Sequence, residues 1–307
     1  MNYPKVSVFL PVYNQERYIA ATLDSIFVQN YPNLEIVVGD DCSTDGTLEV
    51  VRSYAQQHPG LFKILTSPVN TGITANCNRI LRECTGEYLA LFAGDDLWLP
   101  GKLHDQVEYF QQNPNTVLCA TRGAAFESDS GEILYWTPDP QKLYASENTL
   151  TLTRAIGFAG CSFMIASWAI PPKGFNGNLP NTSDWLFWVE VLEKGDFGFI
   201  NKDYFRYRRH KSNFSCNNSV VLLEHLLTLE LLSKNLVESA EKYQSIKEEI
   251  LIEYIAAQAS KPVLAKITWW ALEQHTIKNM IFMLFNYTFD KTRGKIRELL
   301  SKCGLGG

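Results

Sequence analysis

The chain lacks most of the signals that would assign it a chemistry at once. Its seven cysteines form no CxxC pair and no zinc-like spacing, so zinc chemistry lacks its ligands. Odd in number and scattered over 307 residues, they suit a reducing compartment rather than a disulfide framework. No G-x-G-x-x-G follows the first apolar run, which excludes a simple dinucleotide oxidoreductase. That loop, "YNQERY", also holds no glycine, against a sugar-phosphate nucleotidyltransferase with a Gly-rich phosphate loop. No stretch is apolar for 18 residues without interruption, so a spanning helix is not expected. The start, "MNYPKVSVFLPVYNQ", reads as no signal peptide, which places the protein in the cytoplasm. With a net charge of −5 and no block of like charge in its first two thirds, the chain is not expected to bind nucleic acid. Internal repeats, low-complexity segments and Gly/Ser linkers are missing as well.

What is present is a core-forming composition, 46% hydrophobic, enough for one large core or two modest ones. Four short apolar runs rich in β-branched and aromatic residues, "VSVFLPV" from Val6, "LEIVVGD" from Leu34, "FKILTS" from Phe62 and "EYLALFA" from Glu87, recur at close to thirty-residue spacing. Helical patterns lie between them. Ile19, Leu23, Ile26 and Phe27 fall on one face, and "STDGTLEVVRSYAQQ" opens with Ser43 or Thr44 as a candidate cap. Strand and helix in alternation describe an α/β domain, a parallel sheet covered on both faces. After Gly123 the rhythm breaks. "GCSFMIA" and "GDFGFINKDYFRYRRH" read as further strands, with the helix "SDWLFWVEVLEKG" between them, and from Val220 onward the pattern is helical. The expected division is an α/β domain over 1–218, with halves 1–122 and 123–218, and a helical appendage over 219–307. Residues 261–307 carry eight Lys/Arg against three Asp/Glu, beside "ITWWAL" and "MIFMLFNYTF". That fits a helix lying on an anionic membrane surface, and equally one packed on its own domain or a partner.

In an open parallel sheet, ligands bind beyond the carboxyl ends of the strands. Here the first strand ends at Tyr13 and Asn14, the second at Asp40 and Asp41, and the fourth at Asp95 and Asp96. Four carboxylates at neighbouring strand ends repel and lose hydration unless something positive joins them. A Mg²⁺ or Mn²⁺ ion, held by hard oxygens and shared with a diphosphate, meets that need. Tyr13 is then placed to stack on a base, Asp41 to accept from a ring N–H and Asp95 from ribose hydroxyls; the plainer alternative makes these aspartates turn and cap residues.

The string "VSVFLPVYNQERYIAATLDSIFVQNYPNLEIVVGDDCSTDGT", then "NTGITANCN", then "GEYLALFAGDDLWLP" resembles a family 2 glycosyltransferase of the GT-A fold over roughly residues 4–215. The resemblance implies an inverting transferase that takes its sugar from a nucleotide-diphosphate sugar, UDP-linked, and passes it to a glycan or lipid-linked acceptor in surface polysaccharide assembly. It implies a nucleotide pocket of Pro11, Tyr13, Asn14, Asp41, Gly72 and Asn78, and a DXD-type motif with Asp95 near the ribose and Asp96 on the metal. Ala93 and Cys77 depart from the family pattern, where an aspartate and an arginine are frequent. In "PNTSDWLFWVEVLEKG", Asp184 matches the presumed general base, although Ser183 replaces the usual glutamate and Glu190 a common arginine. Trp185 and Trp188 could stack on sugar, yet four-spaced aromatics more often belong to a core. "YFRYRRHKSNFS" places Arg208 by the diphosphate and His210 as a further metal ligand. These departures keep one alternative open, a non-catalytic nucleotide-sugar binding protein on the same fold.

Overall fold

The structure, a computed structural model, describes residues 3–138, 158–210, 213 and 218–233. Residues 261–307, read above as a candidate membrane-surface segment, lie outside the described residues. Among the described residues no helix is long and apolar enough to cross a membrane.

Nine strands form one sheet, with β7 paired to β6 off the main path of β3-β2-β1-β4-β8-β6-β9-β5. The first four are β1 (Val6–Val12), β2 (Leu34–Asp40), β3 (Phe62–Thr66) and β4 (Tyr88–Leu91), and all of their mutual pairings are parallel. Helices α1 (Glu16–Phe27), α2 (Thr47–Gln57) and α3 (Ile73–Leu81) are the crossovers between them. Along β1, Val8, Leu10 and Val12 join the core cluster that includes Ile19 and Leu23 of α1, while Phe9 joins the cluster that includes Ile80 of α3. Both faces are therefore buried, which is why these strands read as unbroken apolar runs rather than alternating ones.

The second half is not parallel in the same way. β5 (Leu97–Trp98) runs antiparallel to β9 (Asp196–Arg209), β8 (Met164–Ala166) antiparallel to β4 and β6 (Thr116–Glu127), and β7 (Ile133–Thr137) antiparallel to β6. Only β6 and β9 pair in parallel there. The expectation of a mostly parallel sheet thus holds for the first four strands and gives way to a mixed sheet beyond them. Helices α4 (Lys102–Gln112) and α5 (Asp184–Leu192) complete this compact unit. A second unit joins Gly177–Ser183 to the C-terminal part of the chain, of which helix α6 (Asn218–Ser233) is described. Within that unit the buried Glu224 accepts from the backbone N–H of Asn181 (3.0 Å) and Thr182 (2.7 Å). The helical part therefore takes in a segment well before residue 219.

Neither Ser43 nor Thr44 caps α2, whose N-cap is Gly46; Asp45 just before it accepts the Thr47 N–H through Oδ1 at 3.0 Å. Lys102 is fully buried, its Nζ donating to Gln106 Oε1 at 2.7 Å and lying 4.5 Å from the Trp98 ring centre. Burial pushes its pKa down to about 7. An unfolded chain would hold this proton up to the ordinary lysine range, so the cost of burying the ammonium is greatest below pH 7 and vanishes as pH rises towards 10. Lys102→Met is expected to raise stability by roughly 1–4 kcal/mol at neutral pH. Urea unfolding at several pH values should show that gain shrinking between about pH 7 and pH 10. A constant difference would show that the ammonium is not what costs.

Candidate functional site

The strand ends are built by two loops that clasp each other. Asn14, at φ 50°, leaves β1 in a left-handed turn that asparagine tolerates better than most residues. Its N–H donates to Ser43 Oγ at 3.0 Å, and its Oδ1 accepts from the Thr44 N–H at 2.8 Å. The Gln15 N–H reaches Thr47 Oγ1 (2.7 Å), the Glu16 N–H reaches Asp45 Oδ2 (3.1 Å), and Glu16 in turn accepts from the Gly46 N–H (3.0 Å). Asn14 is thus a fastener between the β1 and β2 exits. Tyr13, by contrast, projects 46% exposed from the same turn. Pro11 lies within β1, in register with Gly39.

Asp41 is buried, and its carboxylate gathers the 70–72 loop. Oδ1 accepts from Thr71 N–H (3.0 Å) and Oγ1 (2.6 Å), and Oδ2 from Gly72 N–H (2.7 Å). Gly72 holds φ 86°, a conformation that favours glycine. Arg79 lies 3.6 Å from Asp41 and donates to the Asp40 carbonyl (3.1 Å) and Asn76 Oδ1 (2.7 Å), with its Nε buried and unpartnered. The cation missing at Cys77 is thus present two residues on. Asn78 exchanges two hydrogen bonds with the main chain of Phe175, both 2.8 Å. Its amide holds that loop in place.

Asp95 and Asp96 leave β4 through Gly94, where a Cβ would strike Val12 Cγ1 at 2.8 Å as well as the Gln15 side chain. Only glycine lets the turn pass so close to the β1 exit. Asp96 is 2% exposed; burial, and then the neighbouring Asp95, hold its carboxyl well above the usual carboxylate range. Its Oδ1 accepts the Arg208 N–H at 2.9 Å, and the Cys161 thiol hydrogen-bonds the carboxylate from behind. Asp95 Oδ2 lies 2.9 Å from His210 Nε2 and 3.3 Å from Asn213 Nδ2. Arg208 donates from Nε to the Asp95 carbonyl (2.7 Å) and packs between Tyr18 (4.9 Å) and Phe126 (4.6 Å). Tyr18 also stacks on the His210 ring at 4.8 Å. His210 therefore sits against Asp95. Among the described residues no three metal-ligating side chains converge on one point.

Asp184 opens α5, its Oδ1 accepting the N–H of Trp185 at 2.9 Å. Its charge, together with that of Asp41, reaches the buried Cys77, whose thiol pKa is pushed up chiefly by burial. Trp185 and Trp188 are buried at 3% and 6%, with Trp188 packed on Phe163 at 4.8 Å. They are core, not a sugar platform.

The profile described as "Glycosyl transferase family 2" matches residues 7–168, more than half of the chain. The chain belongs to that family. Among its family 2 relatives, "Putative glycosyltransferase EpsE" of Bacillus subtilis is 28% identical over 242 residues, covering 74% of this chain and 84% of EpsE. Two solved structures share the fold. TarS of S. aureus with UDP-GlcNAc superposes with a TM-score of 0.61 at 21% identity, over 82% of this chain and 73% of that one. The mannosyltransferase PcManGT of Pyrobaculum calidifontis, with GDP-Man and Mn²⁺, gives 0.62 at 18% identity, over 99% and 87%. The α/β GT-A architecture expected from the strand-end motifs is the one observed.

The donor chemistry of the family 2 strand ends fits a hard divalent ion. Two adjacent carboxylates, one raised in proton affinity by burial and then by the other, are relieved by any cation that displaces the proton. Because so few protein donors converge, such an ion would take its remaining oxygens from water and a diphosphate. Thr71, Tyr18, Cys161 and Asn213 belong to the site and were not singled out from the sequence. Cys161 lies against Asp96, its thiol hydrogen-bonded to that carboxylate. The others carry no spacing signal: a hydroxyl, a ring and an amide become site residues only through the loops that bring them there.

Proposed function

We propose that the protein is a metal-dependent, inverting glycosyltransferase that moves a sugar from a nucleotide-diphosphate sugar, UDP-linked, to a hydroxyl of a glycan or lipid-linked acceptor, on the cytoplasmic side of the membrane. The single observation that carries this is the pairing of Asp96, buried and raised in proton affinity, with Asp95 at the edge of the clasped β1 and β2 exits. Asp95 and Asp96 would hold Mg²⁺ or Mn²⁺, which when bound supplies positive charge against the departing diphosphate.

The chain's own residues do the rest. Tyr13, exposed at the β1 exit, offers a ring to the base, and the Asp41–Thr71–Gly72 knot fixes the loop below it. Arg208, anchored through Nε and ring contacts, presents a cation near the diphosphate. Asp184 takes the proton of the acceptor hydroxyl as its oxygen bonds the anomeric carbon and the bond to the diphosphate breaks on the opposite face. Inversion follows from that in-line order.

Calorimetric titration of the full chain with UDP, GDP and their sugars, with and without MnCl₂, tests the reading. One nucleoside diphosphate is expected to bind at least about tenfold more tightly with metal. Binding that ignores the metal would overturn the metal role, and tight binding with no transfer from any sugar would favour the non-catalytic alternative.

A further inference from the structure

β7 carries Ile133, Leu134, Tyr135 and Trp136 at 40% to 49% exposure, an unusual run of large apolar side chains in water. Trp136 is not alone there. The guanidinium carbon of Arg122 lies 5.1 Å from the indole centre and that of Arg206 lies 5.7 Å from it. Arg122 is partly balanced, its Nε on Asp203 at 2.6 Å and an NH group 3.5 Å from Asn201. Among the described residues Arg206 donates to the carbonyl of Phe205, at 2.9 Å.

Register ties this cluster to the acidic pair. Leu97, the residue after Asp96, pairs with Arg206; Arg206 pairs with Ala124; Ala124 pairs with Trp136. Three strand spacings separate Leu97 from Trp136, a span of about 14 Å. Arg206 and Arg208 are two apart on β9 and so face the same side, and Arg208 packs on Phe126, which alternates with Ala124 on β6. Ala124 ends at its Cβ and leaves no side chain standing between Arg206 and Trp136. One face of β6, β7 and β9 thus presents a strip of indole and guanidinium groups that begins beside Asp96 and runs outward.

We infer that this strip seats the acceptor, and that the acceptor is an anionic saccharide. The inference rests on the transferase reading of the acidic pair and adds the substrate class. An exposed indole offers a flat apolar face to the C–H side of a sugar ring, and the flanking guanidiniums pair in forked geometry with carboxylate or phosphate oxygens. A neutral chain would leave Arg206, which meets no carboxylate among the described residues, without a counter-charge. The strip runs for a few sugar units, so recognition extends beyond the sugar that receives the transfer.

Binding of the full chain is measured against three probes: an oligogalacturonate, a poly(glycerol phosphate) and chitohexaose. One of the two acidic probes is expected to bind at least about tenfold more tightly than the neutral one, with affinity falling as salt rises. Whichever acid binds more tightly names the source of the charge, uronate or phosphate. Trp136→Ala and the double variant Arg122→Gln/Arg206→Gln should each weaken that binding about tenfold, with the melting temperature unchanged for the exposed Trp136. Binding of neither acid, equal binding of chitohexaose, or indifference to both variants overturns the proposal. A dimer that Trp136→Ala converts to monomer overturns it too, assigning the patch to a second copy. Titration of the same wild-type sample with UDP and MnCl₂ separates the failures: UDP binding without acidic glycan binding sinks the strip alone, and the reverse sinks the donor reading.

Discussion

Asp184→Asn is expected to reduce sugar transfer about 10²- to 10⁴-fold while leaving nucleotide binding intact. The substitution keeps an oxygen that can accept the Trp185 N–H, so the start of α5 should survive. What it removes is the ability to take a proton. An acceptor hydroxyl must lose that proton as it attacks, and no amide can receive it at neutral pH. The loss should fall on kcat, with the KM for donor little changed, because Asp184 acts only as the new bond forms. Initial rates over a range of donor concentrations, together with calorimetry of the diphosphate, separate these terms. Equal rates in the variant would remove Asp184 from the chemistry and leave it a helix-opening residue.

Asp96→Asn should be as severe, about 10³-fold or more in transfer, for a different reason. Burial and Asp95 hold the Asp96 carboxyl high, so a cation that replaces the proton gains from relieving two crowded charges at once. An asparagine keeps an acceptor for the Arg208 N–H and removes the charge. The variant is therefore expected to fold, to bind metal weakly, and to lose the metal-dependent part of diphosphate affinity. Thermal unfolding reads this directly. Mn²⁺ with UDP should raise the melting temperature of the wild type and not that of the variant, since only ligand bound to the native state shifts the transition. An equal shift in both proteins would place the ion elsewhere.

The first half of the fold was legible because β1, β2 and β4 are largely buried and every strand, the half-exposed edge strand β3 included, carries its own apolar run. The limits of β1 and β2 coincide with "VSVFLPV" and "LEIVVGD". β5 escaped notice because it is two residues inside "DDLWLP", and β6 because Arg122 and Gly123 interrupt it. β7, exposed along nearly its whole length, has no alternation to detect. The antiparallel pairings of β8 could not be read either, since direction depends on the partner and not on the strand.

For the site, the sequence by itself determined which groups stand at the strand ends: Tyr13, Asp41, Asp95 and Asp96 follow apolar runs, and that order is fixed by the chain. Asn14, Asn78 and His210 stand out only by residue type, and the tertiary structure supplies the partners they hold. An amide or imidazole bonds whatever donor or acceptor the fold delivers, so Asn14 joins two loops, Asn78 holds Phe175 and His210 sits on Asp95. Carboxylates in a row carry their meaning locally, through mutual repulsion. Neutral polar groups acquire theirs only when a distant segment arrives within hydrogen-bond reach.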